Sequence, residues 1–424
     1  MVTPVGPREG SLAGILVVVL LLASALAAPA SGTSRGEHAT PISPLVGVPH
    51  TSVPAGDRPF GLGFDSHDGT IWVTSQLSDN VSVINGTTNT VAVKSITAGS
   101  EPTSATYDSS NGDVYVTNLA SNNVTVINAV THKVVTSIPV GAEPFSSAFD
   151  SANGYVYVAN QGASNVTVIN GATNKVTGHG IDVGATPTGV TYDSLNGDLY
   201  VENFGSSNVT VINGATDKVR VASISVAADD EYGTVDTTND TVFVAGPLYS
   251  NVTVISGATN KVAVPSIAVG SDPRGLAFDS RDGDVYVADA GASSAWVLSG
   301  ANYKPVGTPV PVGSVPWSVA VDSSTGAVYV ANLGSDNVSV LAPLPAGGAG
   351  SSSGSTTNFL GLSAGAAYAV LAVMLIWCVV GTVAALKFSR TTTTKPAPLQ
   401  PAEAAPTSPA APGNPPGSPP PGAT

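Results

Sequence analysis

At 424 residues the chain has room for two or three domains, but 46 glycines, 32 prolines and only 10% charged residues suit many short strands joined by turns. Its formal charge of −14 gathers in residues 34–345, which hold 27 Asp and Glu against 11 Lys and Arg; such a surface repels phosphate backbones and argues against nucleic acid, while cations or basic molecules fit it. One cysteine, Cys378, excludes an intramolecular disulfide, so an exported domain must rely on a large apolar core.

In chain order, Arg8 precedes an apolar run over residues 12–26, and the small residues Ala28-Pro29-Ala30 follow. A basic start, a short apolar core and an A-x-A site predict a signal peptide over residues 1–30 and therefore export. An uncleaved anchor is the alternative, for which the run is short. Residues 31–44 are polar and rich in Pro and Gly, the composition of a linker.

Residues 45–342 carry one phrase again and again. It reads Gly112-Asp113-Val114-Tyr115-Val116-Thr117-Asn118, then Gly154-Tyr155-Val156-Tyr157-Val158-Ala159-Asn160, and later Gly326-Ala327-Val328-Tyr329-Val330-Ala331-Asn332. The units start at Gly56, Gly99, Gly141, Gly184, Ala227, Gly270 and Gly313, with steps of 42 or 43 residues. A repeat of that period means a propeller or a solenoid. Each unit holds four runs rich in Val, Ile, Thr and Tyr; in the third they cover residues 145–149, 155–159, 165–169 and 175–183. The first two are joined through Asn153-Gly154, a pair suited to a tight hairpin with positive φ. The predicted fold is an all-β, seven-bladed β-propeller with four antiparallel strands per blade.

Closure of the ring is also legible. The seventh unit ends near Leu341 without a fourth strand, while Thr51-Ser52-Val53-Pro54-Ala55-Gly56 echoes Thr136-Ser137-Ile138-Pro139-Val140-Gly141. Residues 46–55 are therefore expected to supply the missing outer strand and leave no open edge. Beyond the repeat, residues 343–358 form a Gly/Ser/Thr linker, and the uncharged apolar stretch 359–386 is long enough for a transmembrane helix. Lys387, Arg390 and Lys395 follow it, which places the Pro/Ala-rich tail 387–424 in the cytoplasm and the propeller outside a single-pass membrane protein.

The phrase Val114-Tyr115-Val116-Thr117-Asn118 within seven such units resembles the YVTN-repeat family of β-propellers, found in archaeal surface layers and exported bacterial proteins. The final Asn of the phrase stands at Asn118, Asn160, Asn203 and Asn332, and is replaced at Ser75, Gly246 and Asp289. The resemblance implies a fold and a cell-surface setting. It carries over no catalytic residue, because the shared motif is architectural.

The Asp closing the first strand of every unit (Asp65, Asp108, Asp150, Asp193, Asp236, Asp279, Asp322) is expected to cap a turn. A ligand site is better sought where the units differ. Strand order puts the loop leading into the first strand on the same face as the loop between the second and third. On that loop face fall the candidate ligand-binding residues Arg58, Glu101, Glu143, Glu202, Phe204, Asp230, Glu231, Tyr249, Arg274 and Trp317. They suggest a funnel for a sugar stacked on Trp317, or for a Ca²⁺ or Mg²⁺ ion held by carboxylates; drift on a solvated face explains the same pattern.

Asn80, Asn85, Asn123, Asn165, Asn208, Asn239, Asn251 and Asn337 head Asn-x-Ser/Thr triplets, N-glycan acceptors in an exported chain whose organism glycosylates. The five histidines show no metal-ligand spacing, and no nucleophile elbow or phosphate loop appears. The sequence thus favours a non-enzymatic envelope or surface-layer module that needs no cofactor and binds envelope proteins or glycans. The alternative is an exported lyase- or lactonase-like propeller enzyme holding a divalent metal near Glu202, Asp230 and Glu231.

Overall fold

The computed structural model describes residues 50–226 and 232–341. The expected signal peptide, linkers, transmembrane stretch and tail lie outside those residues. Among the described residues no helix is long and apolar enough to cross a membrane.

Seven antiparallel sheets form the blades. Six follow the chain, over residues 59–97, 102–139, 144–182, 187–225, 233–268 and 273–311; they are called the first to sixth blades. The seventh uses Pro316–Asp322, Ala327–Asn332 and Asn337–Leu341, and takes its outer strand from His50–Pro54. Ser52 there pairs with Ser339 in antiparallel register. The first strands of successive blades adjoin in order, and that of the seventh adjoins that of the first, so the ring is closed.

Face-to-face stacking explains the composition of the strands. The second strand of the second blade, Asp113–Asn118, is buried along its whole length, because residues on both sides of the pleat meet a neighbouring blade. Trp72, Val81 and Val83 of the first blade thus pack with Val114, Val116 and Ile127 of the second. The N-terminal strand joins this scheme: Val53 is 2% exposed and packs with Ile71 and Val73 of the first blade and with Tyr329 and Val338 of the seventh. Outer strands face water, and Val134 and Val135 are half exposed there.

A second tie links neighbouring blades on the face opposite the loop face. The Tyr of the repeated phrase donates its hydroxyl to the turn between the third and fourth strands of the next blade. Tyr157 bonds Asp217 at 2.6 Å, Tyr200 bonds Asn260 at 2.7 Å, and Tyr115 bonds Asn174. Where the Tyr is replaced, its partner changes too. Trp72 meets the His132 ring at 5.7 Å, and Phe243 meets Tyr303 at 5.9 Å. The seventh blade offers no such turn, since its outer strand comes from the other end of the chain, and Tyr286 of the sixth instead bonds Asp282 of its own blade at 2.7 Å.

Two outer strands depart from expectation. The run 175–183 is not continuous: Lys175–Val176 and Ile181–Asp182 pair separately with Asn165–Asn170. Gly178, at φ 66°, and Gly180 allow the chain to leave the sheet between them. In the sixth blade only Val310–Pro311 forms the strand, after a segment broken by Pro305, Gly307 and Pro309.

Candidate functional site

The loop face is built by a repeated staple. Arg58, Glu101 and Glu143 occupy the same position of the leading loop, each left-handed with φ between 52° and 56°. Their backbone N–H groups donate to side chains of the preceding blade: Arg58 to Asp336 Oδ1 at 3.0 Å, Glu101 to Asp79 Oδ1 at 2.9 Å, and Glu143 to Asn122 Oδ1 at 2.7 Å. The backbone conformation is therefore fixed by the neighbouring blade, and the side chain is left to vary. Phe204 opens a short 3₁₀ turn, and Pro247–Tyr249 forms the corresponding turn of the fifth blade, leaving Leu248 and Tyr249 70% and 60% exposed. Asp230 and Glu231 lie outside the described residues.

Inside this rim, four aromatic rings from the first, third, fifth and seventh blades form a cycle. Phe60 of the first blade meets Phe145 of the third edge-on at 5.6 Å, and Phe145 meets Tyr232 of the fifth at 6.0 Å. Trp317 of the seventh donates its indole N–H to the Tyr232 hydroxyl at 3.1 Å and lies 5.0 Å from Phe60. Arg274 of the sixth blade places its guanidinium 4.3 Å from the Trp317 ring centre and is paired to Asp272 at 2.8 Å. Trp317 and Arg274 were legible as candidates; Phe60, Phe145 and Tyr232 were not. For Phe60 and Phe145 the signal lay in one repeat position, the second residue of the first strand, which reads Phe60, Thr103, Phe145, Thr188, Arg274 and Trp317 among the described residues; Tyr232 stands one position further along, where the other blades carry Gly61, Ser104, Ser146, Gly189, Gly275 and Ser318.

A chamber of about 410 Å³ adjoins these rings. It runs from Phe60 and Tyr232 to Phe64, Tyr107, Phe149 and Tyr192 at the far ends of the inner strands. Burial, with Asp65 adding, pushes the Tyr107 hydroxyl up to about 12; Tyr192 moves up to about 12 in the same way beside Asp150.

Glu202 is placed differently from the expectation of a funnel-lining side chain: it is wholly buried. Its position in the second strand is Thr74, Thr117, Ala159, Ala245, Ala288 or Ala331 in the other blades. The carboxyl fits because Gly233 of the next blade has no side chain; a Cβ there would stand 2.1 Å from Oε1. Thr191 donates to Oε1 at 3.4 Å, and Oε2 has no hydrogen-bond partner among the described residues. Burial pushes the carboxyl up to about 8. Among the described residues no three His, Cys, Asp or Glu side chains are grouped to hold a metal.

The repeated Asp residues do cap turns. Asp65 accepts from His67 N–H at 2.8 Å, Asp108 from Ser110 at 2.8 Å, and Asp322 from Ser324 at 2.8 Å, and the other four behave alike. The sequons divide by position. Asn80, Asn123, Asn165, Asn208 and Asn337 are half-buried at the loop-face start of third strands, whereas Asn85 and Asn239 sit on the opposite face. Asn251 is buried and donates its amide to Ser266 at 3.1 Å, and the Asn239 amide donates to Asp236 at 2.8 Å.

No family model matches the chain, and no curated protein matches it. Solved structures do. A chain of Kuenenia stuttgartiensis hydrazine synthase aligns with a TM-score of 0.60 at 19% identity, over 73% of this chain and 99% of that one. A streptogramin B lyase structure aligns with a TM-score of 0.59 at 13% identity, over 70% and 97% of the two chains. At such identities the likeness shows a shared β-propeller fold and leaves the chemistry to be argued from the site.

Proposed function

We propose that the protein is a YVTN-type propeller, exported and held by a C-terminal membrane span, that serves the cell envelope or surface layer as a non-enzymatic binding module. Envelope proteins or glycans are engaged by the loop face. The observation that carries this reading is the contrast between the two faces of the ring. The opposite face repeats one Asp-capped turn in all seven blades. The loop face keeps one left-handed backbone position in five blades, at Arg58, Glu101, Glu143, Thr186 and Val315, while the side chain there changes, and it exposes Leu77, Leu248 and Tyr249. Apolar groups ringed by charge are the ordinary make-up of an interaction surface.

The test is binding of the purified full chain to an array of envelope glycans and to isolated envelope proteins, compared with a Leu248→Ser, Tyr249→Ser double variant. Selective binding that falls at least tenfold in the variant is expected. Equal binding by both proteins would remove the loop face from the mechanism.

A further inference from the structure

We propose that the central chamber binds one neutral sugar ring. The site lies inside the propeller, and the inference stands apart from the loop-face reading.

The repeat explains why there is room. Every blade lends its first strand to the chamber wall, and the repeat position that carries Tyr232 in the fifth blade is Gly or Ser in the other six. The space that remains, about 410 Å³, is of the size that encloses small organic ligands.

The walls exclude charge. No Asp, Glu, Lys, Arg or His lines the chamber, although the chain carries a net charge of −14. Glu202 is wholly buried and is not part of the wall. An ion entering there would give up its hydration with no opposite charge to meet it, so the guest is neutral.

Two kinds of surface then define that guest. Ser104 and Ser146, on adjacent blades, are half-buried, and their hydroxyls have no hydrogen-bond partner among the described residues. Ser318 accepts from the Leu62 N–H at 3.3 Å and keeps its own hydrogen to donate. Thr106 and Ser147, by contrast, are bonded to each other at 2.8 Å, which holds that stretch of wall fixed. Toward the face opposite the loops come the half-buried rings of Phe64, Tyr107, Phe149 and Tyr192, from four successive blades. Aromatic π systems suit the slightly positive C–H groups on the face of a pyranose, and serine hydroxyls suit its hydroxyls. A purely apolar guest would leave the serines unsatisfied. A sugar ring meets both surfaces.

The experiment is titration of the full chain, followed by saturation-transfer NMR, with D-glucose, D-galactose and D-mannose and with two charged relatives, D-glucuronate and protonated D-glucosamine. At least one neutral hexose is expected to bind at millimolar concentration or below, and both charged relatives about tenfold more weakly. A Ser104→Ala, Ser146→Ala double variant should weaken the hexose about tenfold and leave the thermal midpoint where it was, because those hydroxyls bond nothing in the protein. The Leu248→Ser, Tyr249→Ser variant should keep full hexose affinity, which separates this site from the loop face. Should the serine variant fail to fold, the ratio of neutral to charged sugar in wild type and the loop-face variant decide the matter. No binding by any of the three hexoses, equal affinity for neutral and charged sugars, full affinity in the serine variant, or loss of affinity in the loop-face variant would overturn the assignment.

Discussion

The hydroxyl of Tyr329, in the last blade, donates to Asn89 Oδ1 in the first at 2.7 Å. It spans the ring's closure on the face opposite the loops, while His50–Pro54 clasps the same two blades at the rim. Closure thus rests on two separate devices, one polar and one a shared strand. Tyr329→Phe keeps the buried ring and leaves Asn89 without its donor, so a loss of about 1–2 kcal/mol is expected in urea unfolding. A change below 0.3 kcal/mol would mean that Asn89 finds another partner, such as water.

The strand clasp is tested by Val53→Asp. Val53 is 2% exposed among Ile71, Val73, Tyr329 and Val338, so an unpaired carboxylate there must be neutralised or expelled. We expect the strand to detach and Leu341 to become exposed to a neutral protease. A cleavage pattern identical to wild type would show that the ring holds without the strand.

The first blade carries a correctable defect. In four blades the last Asn of the phrase donates its amide to the Asn that opens the third strand and to a hydroxyl two residues on. Asn118, for example, bonds Asn123 at 2.7 Å and Thr125 at 3.0 Å. Ser75 replaces it in the first blade, and Ser75 Oγ, Asn80 Oδ1 and Ser82 Oγ are all buried without hydrogen-bond partners among the described residues. Ser75→Asn is expected to raise stability by up to about 1 kcal/mol, and the reverse change Asn118→Ser to lower it by about 1–2 kcal/mol, read as shifts in thermal midpoint.

Glu202 makes stability depend on pH in a stated direction. Its folded value, about 8, lies above the ordinary 4.5, so its contribution is fully present below pH 4.5 and is lost as pH rises through 8. Glu202→Gln removes that dependence. Against wild type the variant should gain stability progressively above pH 5, at no more than about 1.4 kcal/mol per pH unit, and gain nothing further above pH 9. Urea midpoints at five pH values would show it; parallel curves would mean the wild-type carboxyl is not held neutral.

How much of this was written plainly in the chain depends on how local the cause is. The Asp65 and Asp108 caps act two residues away, and period alone reveals them. The clasp was legible because Thr51–Gly56 repeats the text of an outer strand. The aromatic cycle was not, since Phe60 and Phe145 are neighbours only after a ring has formed, and each looks like an ordinary strand residue beforehand. Glu202 stood out by type, yet its burial depends on Gly233, a residue of the next blade whose relevance is purely spatial.

The pairing of His50 with Leu341 also sets a timetable. The segment that leaves the ribosome early must wait for nearly the whole propeller before its partner exists. Until then Asn337–Leu341 has no outer neighbour and the first blade no seventh blade beside it. Loop closure over such a span costs entropy before any contact repays it, so the clasp is expected to form after the blades between its two strands. Truncated or stalled chains would stay open and perishable, which makes the clasp a mark of completed synthesis as well as a seam.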